Sequence, residues 1–146
     1  MAVCGGFTAG KQYPEEVSQR IRTVVVDDSD AFLEITSSLL SFEVIDVVAA
    51  ASDGVEAIGL AARLQPDLVV MDVALPGLDG LAVATLLSDM TPAPAVVLMS
   101  AADTPQFQAA ARKAGAFAVV NKGNFQNEFA AVLERLQHGD AAREIA

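Results

Sequence analysis

Residues 23–28 read Thr-Val-Val-Val-Asp-Asp (TVVVDD). Three valines after a threonine are β-branched throughout, and an unbroken run of this kind predicts a strand buried on both faces. Such a strand needs a layer of cover on each side. Similar short apolar runs recur at Val44–Ala50, Leu68–Met71, Ala95–Met99 and Ala116–Val120, so five strands are expected. Helix-period stripes lie between them: Phe32, Ile35, Leu39 and Phe42; Ala57, Ala61 and Leu64; Val83, Leu86 and Met90; Phe125, Phe129, Val132 and Leu136. Asp53 stands three residues before Glu56, and Asp103 three before Gln106 with Pro105 in the first turn, as helix-capping pairs do. Asn124 is the expected cap of the last helix, Asp30 that of the first, and Gln65-Pro66-Asp67 and Gly115 are breaks. Strand and helix alternating five times predict an α/β fold, a parallel sheet between two helical layers, with right-handed crossovers.

The 146 residues suit one domain, and composition narrows its class. Apolar residues at 53% and charged residues at 19% exclude a disordered chain. The apolar runs at 47–51 and 116–120 are far shorter than the ~20 residues that span a bilayer, so no membrane association is expected. One cysteine and one histidine exclude an internal disulfide, a multi-cysteine zinc site and a histidine-rich metal site. Residues 1–20 lack periodicity and the charge-then-apolar order of a secretory signal. They read as an N-terminal extension to a domain at 21–137, with 138–146 as a C-terminal tail, and the expected location is cytoplasmic. Nineteen acids against nine bases leave a net charge of −10, and between Thr23 and Ala111 the one base, Arg63, faces thirteen acids. That sign repels phosphate backbones, so the chain is not expected to bind nucleic acid directly.

In parallel sheets of this kind the functional crevice lies beyond the carboxyl ends of the strands. The first strand ends at Asp27-Asp28, the third at Asp72 and the fourth at Ser100, and the fifth is followed by Lys122. Clustered carboxylates raise one another's pKa unless a cation intervenes, and Mg²⁺ suits one or two carboxylates plus phosphate. The set fits phosphoryl transfer, where catalysis is mostly positioning and charge neutralisation. Asp72 is then the nucleophile, Asp27 and Asp28 hold Mg²⁺, and Ser100 and Lys122 contact phosphoryl oxygens. Loop acids at helix N-termini would account for the aspartates singly, but not for Ser100 and Lys122 at the same edge.

The segments VVVDD (24–28), SDGVEA (52–57), PDLVVMDVALPGLDG (66–80), VVLMSA (96–101) and AGAFAVVNK (114–122), in this order, resemble the receiver domain of bacterial two-component response regulators. The resemblance covers about residues 21–137. It implies a three-layer, flavodoxin-like, doubly wound sheet with strand order 2-1-3-4-5. It implies an aspartyl-phosphate switch on Asp72, charged by a sensor histidine kinase or a histidine phosphotransfer protein in a two-component system or phosphorelay. Asp27, Asp28, Asp72 and the Ala74 backbone carbonyl become ligands of Mg²⁺, with Mn²⁺ as the alternative ion, and Ser100 and Lys122 contact phosphate. No enzyme is implied beyond a phosphoacceptor that catalyses its own phosphorylation and dephosphorylation.

Two positions depart from that pattern. The switch position, three residues before the lysine, is Val119 where many receivers have Tyr or Phe. Valine has no ring to turn inward and is stiff at χ1, so the response is expected mainly at Ser100 and the loop 101–103. After the lysine stands Gly123 where most have proline. A cis bond costs ~2.5–4 kcal/mol without proline, so a trans Lys122–Gly123 peptide is expected. An Asp-nucleophile phosphatase would need a second acid two residues after Asp72, where Ala74 stands, and a flavin carrier would meet repulsion from Asp27, Asp28 and Asp30. Two outputs stay open: a stand-alone receiver acting on a downstream protein, or the receiver of a longer DNA-binding regulator with an attached output domain, which Gly123-Asn124-Phe125 resembles.

Overall fold

The computed structural model describes residues 20–29, 31–75, 77–101 and 104–138. Five parallel strands, β1 (Ile21–Val26), β2 (Ile45–Ala51), β3 (Leu68–Asp72), β4 (Ala95–Ser100) and β5 (Ala118–Asn121), form one sheet in the order β2-β1-β3-β4-β5. The crossovers carry α1 (Ala31–Leu40), α2 (Gly54–Leu64), α3 (Gly80–Ser88) and α4 (Pro105–Lys113). A 3₁₀ turn (Lys122–Asn124) leads into α5 (Phe125–His138), one residue longer than the boundary read from the sequence. The extension up to residue 19, the tail from residue 139, Asp30, Pro76, Ala102 and Asp103 lie outside the described residues, as does the side chain of Phe32. Among the described residues no helix is long and apolar enough to cross a membrane.

Strand alternation sorts the core into two layers. Val25, Val70, Val97, Met99 and Val120 face α1 and α5 through Ile35, Leu39, Phe129 and Val132. Val24, Val26, Val69, Met71 and Leu98 face α2, α3 and α4 through Ala57, Ala61, Val83, Leu87 and Ala111. Phe129 is fully buried, with its ring stacked 5.2 Å from Phe125 and edge-on 5.5 Å from Phe42. Each such side chain contributes about 1.5–3 kcal/mol through burial alone.

Three sequence expectations shift in detail. In α3 the buried stripe is Val83, Ala84 and Leu87, while Leu86 is 48% exposed and Met90 half-buried. The phase is fixed by Gly80, where a Cβ would lie 2.6 Å from the Val73 carbonyl oxygen. With Gly80 against the backbone, positions three, four and seven residues later turn inward and Leu86 turns out. The α4 cap is Thr104, whose hydroxyl accepts from the Phe107 N–H at 3.1 Å. Asn124 accepts from the Asn127 side-chain amide at 3.0 Å, and the 3₁₀ turn before α5 is capped instead by Asn121. The Asp53–Glu56 pair caps α2 as expected, with Asp53 accepting from Glu56 N–H at 2.8 Å and Glu56 reaching back to Ser52 N–H at 3.0 Å. The α2 C-terminus is closed by Arg22, whose guanidinium donates to the carbonyls of Leu64 (2.8 Å) and Gln65 (3.1 Å).

Candidate functional site

Sheet register brings the strand ends level. Val26 pairs with Met71, Asp72 with Met99, and Ser100 with Asn121. Asp27 therefore follows β1 beside Asp72, and Lys122 follows β5 one strand beyond Ser100. Asp27, Asp72 and Ser100 are all buried, while Asp28 is exposed. One carboxylate oxygen from each of Asp27, Asp28 and Asp72 lies within 4.8 Å of the others.

Both oxygens of Asp72 are held. Oδ1 accepts from the Ala74 N–H at 2.9 Å and Oδ2 from Lys122 Nζ at 2.8 Å. Asp27 Oδ1 accepts from the N–H and the hydroxyl of Ser29, at 3.0 and 2.9 Å. Asp27 Oδ2 is buried without a hydrogen-bond partner among the described residues, and Lys122 Nζ stands 4.0 Å away. A buried carboxylate oxygen left like this is costly, and a hard divalent cation with oxygen ligands is the partner its chemistry fits.

Three carboxylates thus face one ammonium. The hydrogen bond to Asp72 raises the Lys122 pKa above its usual 10.5; the charges of Asp72, Asp27 and Asp28 add to this, and partial burial opposes it. A folded pKa above the unfolded one means a stabilising contribution that is complete below pH 10.5 and disappears as pH rises through the folded value. Denaturant melts should show an alkaline loss of stability above that pH which is smaller in Lys122→Met. Equal alkaline losses in both proteins would contradict it.

Residues 23–134 match the family described as the response regulator receiver domain. The chain belongs to the response regulator receiver family. The receiver domain of NarL from Mycobacterium tuberculosis superposes with a TM-score of 0.74 at 30% identity, covering 82% of this receiver and 98% of that chain. The response regulator domain of Thermotoga maritima CheB gives 0.71 at 26% identity, covering 87% and 98%. Protein-glutamate methylesterase/protein-glutamine glutaminase 5 of Myxococcus xanthus is 41% identical over 104 residues, 70% of this receiver and 30% of that protein. The chain spans about 30% of the length of the first such relatives.

The receiver brings together Asp27, Asp28, Asp72, Ser100 and Lys122 from four strand ends, with the Ala74 peptide held against Asp72. Val119 is half-buried, pairs with Leu98 and lines a groove of about 240 Å³ with Ala111, Ala116, Phe117 and Arg135. The Lys122–Gly123 peptide is trans, since the cis bond among the described residues is Thr91–Pro92. Sequence reading missed Ser29, which anchors Asp27, and the contact of Glu128 with the Asn121 N–H at 2.8 Å. Ser29 was visible as a hydroxyl two residues past a strand-end acid, the spacing of an Asx turn. Nothing local marks Glu128.

Proposed function

We propose that this receiver accepts a phosphoryl group on Asp72 from a sensor histidine kinase or a histidine phosphotransfer protein, as a switch in a two-component system or phosphorelay. The observation that carries the reading is Asp72 itself, a buried carboxylate fixed at both oxygens with an ammonium 2.8 Å away. Asp27, Asp28, Asp72 and the Ala74 carbonyl are the residues that would hold Mg²⁺, or Mn²⁺ in its place. The bound cation would supply charge neutralisation at the phosphoryl oxygens.

In the transfer an Asp72 oxygen forms the new bond to phosphorus, and the bond to the donor's nitrogen or acyl oxygen breaks, its electron pair leaving with the donor. Lys122, released from part of its bond to Asp72, pairs with a phosphoryl oxygen, and the Ser100 hydroxyl donates to another. The Ala74 N–H keeps the remaining carboxylate oxygen in place. Val119 offers no ring to follow Ser100, so the response stays at Ser100 and the loop after it. The phosphorylated state acts on a downstream protein or an attached output domain in the cytoplasm, without direct nucleic-acid contact by this chain. A second reading, the receiver of a longer regulator, is supported by the length of the curated relatives, of which this chain spans about 30%.

Incubation with acetyl phosphate and Mg²⁺ tests the core of this. Intact mass should show one phosphoryl gain that disappears when a chelator removes the metal. No gain with Mg²⁺ present, or an equal gain with chelator, would overturn the assignment.

A further inference from the structure

Lys122 projects into the site from a backbone held on both sides. Asn121 ends β5, an edge strand, so among the described residues its outward N–H has no neighbouring strand to pair with. That N–H donates to Glu128 Oε1 at 2.8 Å, and Glu128 stands in the first turn of α5. The Asn121 side chain then spans Lys122, its Oδ1 accepting from the Gly123 N–H at 2.7 Å. This is an Asx-type turn with Lys122 at its centre. A Cβ at residue 123 would lie 3.1 Å from that same Oδ1, so glycine there leaves the Asn121 side chain in place where a larger residue would push it by a few tenths of an ångström. One residue, Asn121, therefore ties the Val120–Asn121 peptide to α5 and the Lys122–Gly123 peptide to its own side chain.

We propose that Asn121 and Glu128 are positioning residues for phosphoryl transfer, fixing the backbone on either side of Lys122 so that its ammonium stays aimed at Asp72. The inference rests on the reading of Asp72 as phosphoacceptor and Lys122 as phosphate contact. Lysine is a point charge on a flexible four-carbon stem, so its head is placed only as well as its root. Neither Asn121 nor Glu128 touches Asp72 in this arrangement; both act through Lys122. The competing account is that Glu128 merely satisfies an edge-strand amide and favours a helix N-terminus. That account predicts a loss of stability unrelated to Lys122.

The test compares the whole chain with Asn121→Ala, Glu128→Ala, Glu128→Gln, Lys122→Ala and the double variant Glu128→Ala/Lys122→Ala, labelled by acetyl phosphate with Mg²⁺. Asn121→Ala and Glu128→Ala should each slow labelling on the order of tenfold, the scale on which small misplacements act. Glu128→Gln keeps the accepting Oε1 and should restore a rate close to that of the native chain. In the Lys122→Ala background, Glu128→Ala should slow labelling no further, because the two side chains act as one unit. A second readout needs neither metal nor donor: in metal-free denaturant melts the destabilisation by Lys122→Ala should shrink when Glu128 is already Ala. Additive losses in either readout, or native labelling rates in both single variants beside a slow Lys122→Ala, would overturn the proposal. If the native chain takes no label, or Lys122→Ala labels as fast as it does, the reading of the site fails instead.

Discussion

Asp72→Asn should take up no phosphoryl group from acetyl phosphate and Mg²⁺, while the native chain gains one. The substitution is nearly isosteric, and the amide oxygen can still accept from the Ala74 N–H that now holds Oδ1 at 2.9 Å. The fold is therefore retained and the effect is chemical. A carboxylate has an anionic oxygen to attack phosphorus; an amide oxygen is far weaker, and its nitrogen lone pair is delocalised. Asp27 and Asp28 do not substitute. Asp27 Oδ1 is engaged by Ser29 and its Oδ2 faces Lys122 from 4.0 Å, against 2.8 Å for Asp72. Intact mass reads the result directly, and full labelling of Asp72→Asn would move the acceptor role elsewhere.

Asp28→Asn should stabilise the metal-free protein, the reverse of most substitutions, which destabilise by ~1 kcal/mol. Folding brings the three carboxylates within 4.8 Å of one another, and one ammonium offsets only part of that charge. Asp28 is the informative position because it is exposed, so Asp28→Asn leaves no buried group without a partner. Mg²⁺ should stabilise the native chain by mass action; with a dissociation constant on the order of 1 mM, 10 mM Mg²⁺ contributes about 1.4 kcal/mol. Asp28→Asn should lose most of that increment, having lost a ligand. Denaturant melts of both proteins at fixed ionic strength, with and without Mg²⁺, separate this from three solvated loop acids. In that case Mg²⁺ would act equally weakly on both.

The residues legible in the sequence were those whose role follows from period or from position at a strand end. The run Val24–Val26 lies fully buried in both core layers, and Asp27, Asp72, Ser100 and Lys122 converge as strand endings predict. What was not legible depends on contacts between distant segments. The apolar period of α3 admits two phases, and only the approach of Gly80 to the Val73 carbonyl decides between Leu86 and Leu87. β5 starts at Ala118 rather than Ala116, because the N–H groups of Ala116 and Phe117 bond Ala111 and Val96 as connector and lead-in. Arg22 carries no local signal of its role, because its partners are carbonyls 42 and 43 residues away.

The strand order also shapes how the chain can assemble as it is made. β2 takes one edge of β1, β3 the other, β4 the free edge of β3, and β5 that of β4. No strand has to be threaded between two already joined, so growth from the ribosome proceeds by addition at an open edge. Each open edge is a template for a second chain until the next strand covers it, and the two that remain at the end need blunting. On one side β2 carries Asp46 and a bulge at Val48, where its register against β1 slips. On the other, β5 is four residues long, and its final amide is capped by Glu128 rather than left for a neighbour. Both edges thus carry features that disfavour edge-to-edge pairing, and the side chain proposed to position Lys122 also covers the last amide of the sheet.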